Sequence, residues 1–368
     1  MHDNDDFPRF KAAAIQAGPV VKDAPEYFDG KSTLEKAVSL INEAARNGAR
    51  LIVFPESWMP SYCYWSLNLG EREAFADIWA KYLWSSIEVP GPETDVLCET
   101  AKKADVFITM GINERDRCFP GRMYNSILFV GPSGRILGTH RKICNTVQER
   151  LFHTAGDGGD NLKTVFKTEI GIIGGSICGE HSQLLLLYNW IMQGIQIHCS
   201  LWPGDAGLEK SIDLKTRSFC RTACCYGVMA AAYMPEETKP KNFYGNSLFS
   251  IPGSFRGGSG IIHPSGDYIA GPVYDQETIL YGDIDLAETD RKRFDVNLTG
   301  IYSRWDLLNL NIQKKSYEPL AELGEIESKA TVAKQTRHLE ERIKNLEQQI
   351  SLLADFVKSS KADSGTNL

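Results

Sequence analysis

The sequence predicts an α/β fold in which helices cover a mixed β-sheet. Short apolar runs with the length of buried strands alternate along the chain with segments whose apolar residues recur at helical spacing. Residues 11–60 read as a strand, an amphipathic helix and a buried strand, which is the start of a β-α-β unit. A Gly-Pro-Ser-Gly turn at residues 131–134 joins two strand-like runs, so some neighbouring strands should be antiparallel.

The remaining elements follow the same alternation. Strands are predicted at residues 11–20, 51–56, 106–114, 123–130, 172–177, 196–201 and 228–232, and another begins at residue 136. Helices are predicted at residues 30–48, 71–84, 94–104, 184–194 and 208–226. The glycine-rich stretches 156–161 and 255–260 are predicted to be turns, because neither lies between a strand and a helix with the glycine spacing of a nucleotide loop.

The run IIGGSICGEHSQ, residues 172–183, predicts a buried strand that ends in a tight turn and presents the thiol of Cys178. Gly174, Gly175 and Ser176 remove bulk from the strand, and Gly179 is expected to let the backbone bend just after the sulfur. An isolated cysteine in a strand is most often a small core residue. A catalytic thiol therefore needs partners elsewhere in the sequence.

Candidate partners lie upstream, at the ends of two other strand-like runs. Glu56 closes a buried run beside aromatic residues, and burial should raise its pKa into the range of a general base. Lys142 follows the run that begins at residue 136, and Glu149 is a further acid. A thiol, a base and a fixed cation are the groups needed for covalent attack on a polarised carbon bonded to nitrogen.

The segments FPESWMP around Glu56, HRKICNT around Lys142 and SICGEHSQ around Cys178 resemble the three signature segments of the nitrilase, or carbon-nitrogen hydrolase, superfamily. QERLFHTAGDG, which contains Glu149, is similar to the stretch that carries the family's second, supporting glutamate. Later segments, among them QIHCSLWPGD and ILYGDIDL, resemble true nitrilases rather than the shorter amidases. The resemblance implies a four-layer α-β-β-α sandwich, a Glu-Lys-Cys triad, and neither a metal nor a cofactor.

The resemblance also implies a reaction. Cys178 would add to the carbon of a small organic nitrile to give a thioimidate, and water would convert this to a thioester and then to the carboxylic acid, with loss of ammonia. Glu56 would act as the base, Lys142 would stabilise the tetrahedral intermediate, and Glu149 would orient both. An amidase of the same superfamily is the close alternative. A catalytically silent oligomeric scaffold is disfavoured, because all three residue types stand in their motifs.

Aromatic and polar residues near the triad are candidates for contact with the substrate. They are Trp58, Tyr62, His181 and Trp202. The aromatic loop 58–65 favours an apolar nitrile, aryl or arylaliphatic. Gly179 stands where many nitrilases carry a tryptophan, so the exact nitrile and the ratio of acid to amide product stay open.

Composition excludes several other classes of function. The net charge is −7 with no block of lysine and arginine, which argues against a nucleic-acid partner. Nine cysteines without a CxxC pair favour a reducing, cytoplasmic location over a disulfide framework, and Cys220, Cys224 and Cys225 are predicted to be core residues. The first ten residues lack the features of a signal peptide, and no apolar run approaches the length of a membrane span.

Three regions are predicted along the chain: a hydrolase domain at residues 10–313, a C-terminal helix at residues 317–358 and a disordered end at residues 359–368. The helix carries a heptad seam typical of a coiled coil. Val332, Leu339, Ile343, Leu346, Ile350, Leu353 and Val357 fall on alternating three- and four-residue steps, with Thr336 in the one slot that lacks an apolar residue. The alternative is an amphipathic helix that packs on its own domain. The resemblance implies a homo-oligomer, either a dimer or a larger spiral.

Overall fold

The computed structural model describes residues 7–67, 70–204, 207–244 and 253–313, together with Ile343 and Lys344. The chain divides into two units, Met1–Ser316 and Tyr317–Leu368. In the second unit Ile343 and Lys344 are helical and exposed. The rest of the predicted C-terminal helix and coiled-coil seam, and the predicted disordered end, lie outside the described residues.

The first sheet has six strands in the order β12-β1-β2-β3-β4-β5. Their bounds are β1 Arg9–Gln16, β2 Ala49–Val53, β3 Phe107–Arg115, β4 Met123–Val130, β5 Ile136–Arg141 and β12 Thr278–Asp285. The three strands β1, β2 and β3 are parallel, whereas β3, β4 and β5 form antiparallel neighbours. Two reversals return β5 to the direction of β2, so the carboxyl ends of β2 and β5 lie at the same edge of the sheet.

The second sheet also has six strands, in the order β11-β10-β9-β8-β7-β6. Their bounds are β6 Phe166–Thr168, β7 Gly171–Ile177, β8 Ile197–Trp202, β9 Tyr226–Ala231, β10 Gly257–Ile262 and β11 Tyr268–Tyr274. The central strands β7, β8 and β9 are parallel. Their burial on both faces agrees with the continuous apolar composition from which they were predicted.

Helices cover the outer face of each sheet. Their bounds are α1 Gly30–Arg46, α2 Arg72–Ser85, α3 Pro92–Ala104, α4 Leu184–Met192, α5 Glu209–Ala223 and α6 Ala287–Arg293. Apolar residues of α1 and α3 pack on the first sheet, and those of α4 and α5 pack on the second. The inner faces of the two sheets share one core, so the α-β-β-α sandwich implied by the sequence resemblance is confirmed.

Several predicted elements differ from the structure. The first predicted strand ends at Gln16, and the strand predicted to lead into Glu56 ends at Val53. The stretch 255–260 was predicted to be a turn, but strand β10 begins at Gly257, because antiparallel pairing with β9 and β11 supplies ladder partners that the local sequence does not reveal. The helix predicted at residues 208–226 ends at Ala223, where Cys224 adopts a left-handed conformation with φ 51° and caps it. Cys220, Cys224 and Cys225 are buried thiols, as predicted.

Strand β7 approaches the neighbouring layers closely. A Cβ added at Gly175 would lie 2.7 Å from the carbonyl oxygen of Cys199 in β8 and 3.0 Å from Ile127 of the other sheet. A side chain there would force the two sheets apart, so the glycine run allows β7 to pack where it does. None of the helices in the described ranges has the length and apolar composition to cross a membrane.

Candidate active site

Cys178 lies at the carboxyl end of β7 and begins the 3₁₀ turn Cys178–Ser182. Its φ is 45°, in the left-handed region that non-glycine residues rarely adopt. The sharp bend was predicted at Gly179, but it lies at Cys178 itself. Backbone strain of this kind is typical of functional positions. The residue is 9% exposed, so its side chain lies just below the surface.

Glu56 and Lys142 lie at the adjoining edge of the first sheet. Glu56 follows β2 and Lys142 follows β5, and both side chains are fully buried. The Lys142 Nζ donates hydrogen bonds to Glu56 Oε1 at 2.8 Å and to Glu149 Oε1 at 2.7 Å. One ammonium is therefore held between two carboxylates, and the structure brings together the three charged residues predicted from the sequence.

Glu149 is the more heavily bonded of these two carboxylates. Besides Lys142, it accepts hydrogen bonds from the Tyr62 hydroxyl at 2.9 Å and from the backbone N–H and hydroxyl of Thr146 at 3.1 and 3.0 Å. Burial raises its pKa, but the charges of Lys142 and His153 and these hydrogen bonds outweigh burial and lower the pKa to about 2. Glu149 is thus a fixed anion that anchors the ammonium.

Glu56 has the opposite character. Its Oε1 accepts from Lys142 and from Asn125 Nδ2 at 2.8 Å, whereas its buried Oε2 has no hydrogen-bond partner within the described part of the chain. Burial is the main cause that raises the pKa of Glu56 to about 8; the charge of Lys142 opposes the rise and that of Glu149 adds to it. A buried oxygen with a free lone pair and a raised pKa suits a proton acceptor.

The Cys178 thiol lies in the same electrostatic environment. Burial raises its pKa well above the usual value, the Glu56 carboxylate raises it further, and the Lys142 ammonium lowers it. The thiol is therefore protonated at neutral pH, and its conversion to a nucleophile requires a base. The arrangement can deprotonate a thiol at Glu56 and stabilise developing negative charge at Lys142.

The four residues predicted to contact substrate occupy different positions in the structure. Tyr62 reaches the site through Glu149. His181 lies beside the backbone of Cys178: its Nδ1 is 2.9 Å from the Cys178 carbonyl oxygen, and its ring stacks on Trp202. Trp58 donates to the Ala17 carbonyl oxygen at 2.8 Å and packs in the core between the first sheet and its helices.

Sequence reasoning missed three residues that support the site. Asn125 holds Glu56, Thr146 holds Glu149, and Glu180 binds the backbone beside Lys142 and Cys178. Thr146 carried a readable signal, because threonine three residues before glutamate is the pattern of a capping box. Asn125 was a polar residue inside an apolar strand. The role of Glu180 depends on contacts between distant segments.

The chain is similar to members of one protein family over most of its length. The carbon-nitrogen hydrolase family pattern matches residues 11–294. The chain is 34% identical to Nitrilase 2 of an unknown prokaryotic organism over 80% of this chain and 91% of the relative. It is also 34% identical to the aliphatic nitrilase of Sinorhizobium fredii, over 83% and 96%, and to the bifunctional nitrilase/nitrile hydratase NIT4B of Nicotiana tabacum, over 87% and 91%.

Solved structures share the fold. Nit3 of Saccharomyces cerevisiae, a member of branch 10 of the nitrilase superfamily, superposes with a TM-score of 0.61 at 19% identity, over 79% of this chain and 95% of that one. An amidase from Nesterenkonia superposes with a TM-score of 0.56 at 13% identity, over 78% and 94%. The sandwich fold, together with the family match over residues 11–294, defines a carbon-nitrogen hydrolase. The chain belongs to the carbon-nitrogen hydrolase family, in the nitrilase superfamily.

Reactivity of the thiol should depend on Glu56. We expect the rate of Cys178 alkylation by iodoacetamide to rise with pH through about 8, as Glu56 loses its proton and becomes able to accept the thiol proton. Glu56→Gln should slow alkylation at neutral pH by roughly a hundredfold and remove this part of the pH profile. Mass spectrometry of the labelled peptide gives the rates. The same profile in both proteins would exclude Glu56 as the base.

Gly179 should be coupled to Thr146. A Cβ at position 179 would lie 2.7 Å from Thr146 Cγ2, and moving Thr146 disturbs its 3.0 Å hydrogen bond to Glu149. Gly179→Ala should therefore slow Cys178 alkylation by about tenfold, because small displacements at a catalytic site are costly. Thr146→Ser keeps the hydroxyl and removes the methyl. The double variant should react within about threefold of Thr146→Ser alone; a double variant as slow as Gly179→Ala contradicts the coupling.

Proposed function

We propose that this protein is a nitrilase that hydrolyses a small organic nitrile to the carboxylic acid and ammonia through a covalent intermediate on Cys178. Relatives whose names include nitrilase are 34% identical over most of the chain. The contact that supports this function most directly is the Lys142 ammonium held between Glu56 and Glu149, with the second oxygen of Glu56 unbonded in the described residues.

The first half of the reaction forms the bond to sulfur. Glu56 Oε2 takes the thiol proton, Cys178 Sγ attacks the nitrile carbon, and the proton passes to the nitrile nitrogen, which gives a thioimidate. Because the thiol pKa is raised by burial, little thiolate exists until substrate and base are both in place. Lys142 stabilises the negative charge that develops on the attacked group.

The second half releases both products. Glu56 removes a proton from water as the water adds to the thioimidate carbon and passes it to nitrogen, which gives a tetrahedral intermediate with a hydroxyl and an amino group. The hydroxyl proton is then transferred to the amino nitrogen as the carbon-nitrogen bond breaks, so ammonia leaves and a thioester remains. A second water attacks the thioester, the carbon-sulfur bond breaks, and the acid is released as the thiol regains its proton. Glu149, whose lowered pKa keeps it ionised, holds Lys142 through these steps.

An amidase of the same superfamily is the alternative, and it would enter this cycle at the amide without forming a thioimidate. The likeness to the Nesterenkonia amidase, at 13% identity, extends to the fold alone. Relatives at 34% identity carry nitrilase in their names, which favours the nitrile. One relative is named as both a nitrilase and a nitrile hydratase, so the amide is a product to be measured alongside the acid.

Turnover of nitriles provides the test. We expect ammonia release from a panel of aliphatic, aromatic and arylacetonitrile substrates, with little release from the matching amides. Cys178→Ser should retain less than about a thousandth of wild-type turnover, because removal of a nucleophile elsewhere costs about a millionfold. Lys142→Met should lower kcat by roughly two orders of magnitude or more.

A matched control is Cys98→Ser, which changes a partly exposed thiol on α3 and should leave turnover unchanged. Mass spectrometry distinguishes acid from amide products, and circular dichroism checks that each variant is folded. Turnover of amides without turnover of nitriles would support the amidase alternative. Ammonia release from neither substrate class would support the scaffold alternative.

We also propose that the enzyme is a homo-oligomer and that its C-terminal residues contribute to assembly. Leu184, Leu185 and Leu214 on α4 and α5 are largely exposed, which is unusual for a surface that stays in water. The predicted seam adds Leu339, Ile343, Leu346 and Ile350. Burial of each such side chain contributes roughly 1.5–3 kcal/mol before the entropy of association is subtracted. The nine free cysteines are consistent with a reducing, cytoplasmic setting.

Truncation after Tyr317 should therefore reduce particle size while leaving Cys178 reactive, because the candidate site residues all precede residue 313. Static light scattering on the full-length and truncated proteins measures the change. As a control, replacing Leu339 and Leu346 by serine in the full-length chain should have the same effect on size. Identical particle sizes would mean that the seam packs on its own domain or stays free.

A further inference from the structure

The candidate triad is divided between two sheets. Glu56 and Lys142 belong to the first sheet and Cys178 belongs to the second. The sheets meet through an apolar core. Apolar burial is non-directional, so it does not by itself fix one sheet relative to the other to the accuracy that a thiol and its base require. A directional contact between the two catalytic segments is therefore needed.

The Glu180 carboxylate makes that contact. Its Oε2 accepts the backbone N–H of Ile177, the residue before Cys178, at 3.0 Å. Its Oε1 accepts the backbone N–H of Ile143, the residue after Lys142, at 2.9 Å. Glu180 is fully buried, so water does not compete for these bonds. One rigid, planar group thus binds the backbone on both sides of the gap between the sheets.

His140 supplies the counter-charge. Its Nε2 lies 3.1 and 3.0 Å from the two oxygens of Glu180, and its Nδ1 lies 3.2 Å from the carbonyl oxygen of Asn161. Both ring nitrogens face acceptors, so both must donate and the ring is an imidazolium. Burial opposes this charge, but Glu180 outweighs it and raises the pKa of His140. The ion pair also keeps Glu180 ionised, so both of its oxygens remain acceptors.

We propose that Glu180, paired with a protonated His140, is a positioning residue that fixes the Cys178 thiol relative to Lys142 and Glu56. This role rests on the function proposed above for those three residues. Glu180 acts through the backbone N–H groups of Ile177 and Ile143 and takes no part in the chemistry itself. Nothing else in the described chain binds the backbone next to both catalytic residues with a single side chain.

The test compares Glu180→Gln with a matched variant, Glu114→Gln. Glutamine at position 180 places an NH₂ group opposite one of the two backbone N–H groups, so one link is lost. Glu114, in β3 of the first sheet, is a buried carboxylate like Glu180. It accepts hydrogen bonds from the side chains of Ser126 and Arg141 but does not bind the backbone of either catalytic segment. Both variants lose one buried charge, but only Glu180→Gln separates the segments.

We expect Glu180→Gln to lower kcat and the rate of Cys178 alkylation by iodoacetamide by about 10- to 100-fold, with KM changed less than about threefold. Glu114→Gln should stay within about threefold of wild type in both rates, even if its melting temperature falls as far as that of Glu180→Gln. A loss of alkylation rate in Glu180→Gln that exceeds the loss in Glu114→Gln, at a similar fall in melting temperature, therefore distinguishes positioning from a general loss of stability. Rates in Glu180→Gln equal to or above those of Glu114→Gln would overturn the proposal.

Two further measurements keep the proposal testable. If Glu180→Gln does not fold, Glu180→Asp keeps the charge and both acceptor oxygens but is shorter by one methylene, and the same loss of rate is expected. Alkylation needs no nitrile, so it reports positioning even if nitrile turnover fails. If the wild-type protein hydrolyses no nitrile and Glu180→Gln still slows Cys178 alkylation, the proposed function is rejected and the positioning role is supported.

Discussion

The candidate site depends on one buried ammonium shared by two carboxylates. Lys142 is fully buried between Glu56 and Glu149. Transfer of such ions from water carries a large desolvation penalty, and breaking a buried pair by removing one partner costs about 3–5 kcal/mol. Because one cation faces two acids, the two cannot be equally stabilised as anions. Glu149 takes the additional donors and stays ionised, which leaves Glu56 as the acid whose proton is available for exchange.

The scaffold sets this asymmetry through the edges of its sheets. Strands β2 and β5 run in the same direction and end at the same edge of the sheet, with β3 and β4 between them, and the Glu56 and Lys142 side chains meet there. The neighbouring antiparallel strand β4 brings Asn125 to the same edge, where it occupies one oxygen of Glu56 and leaves the other unbonded in the described residues. The reactivity of Glu56 therefore follows from strand order as much as from its own chemistry.

Much of this was predictable because it is encoded locally. Apolar runs and helical spacing predicted most elements, and the predicted raised pKa of Glu56 has burial as its main cause, as expected. What failed depends on contacts between distant segments. Strand β10 needed its partners in β9 and β11, and the left-handed residue was Cys178 rather than the neighbouring glycine. Local composition does not specify which residue of a turn bears the strain.

Three buried glutamates surround the candidate site, and their side chains are chemically identical. They differ only in the groups that face them: Glu56 keeps one oxygen unbonded in the described chain, Glu149 faces an ammonium, a phenol and a threonine, and Glu180 faces two backbone N–H groups and an imidazolium. Protonation state follows the number and charge of these donors. A sequence motif therefore identifies the acids, whereas the roles proposed for them, as base, anchor and link, rest on tertiary contacts.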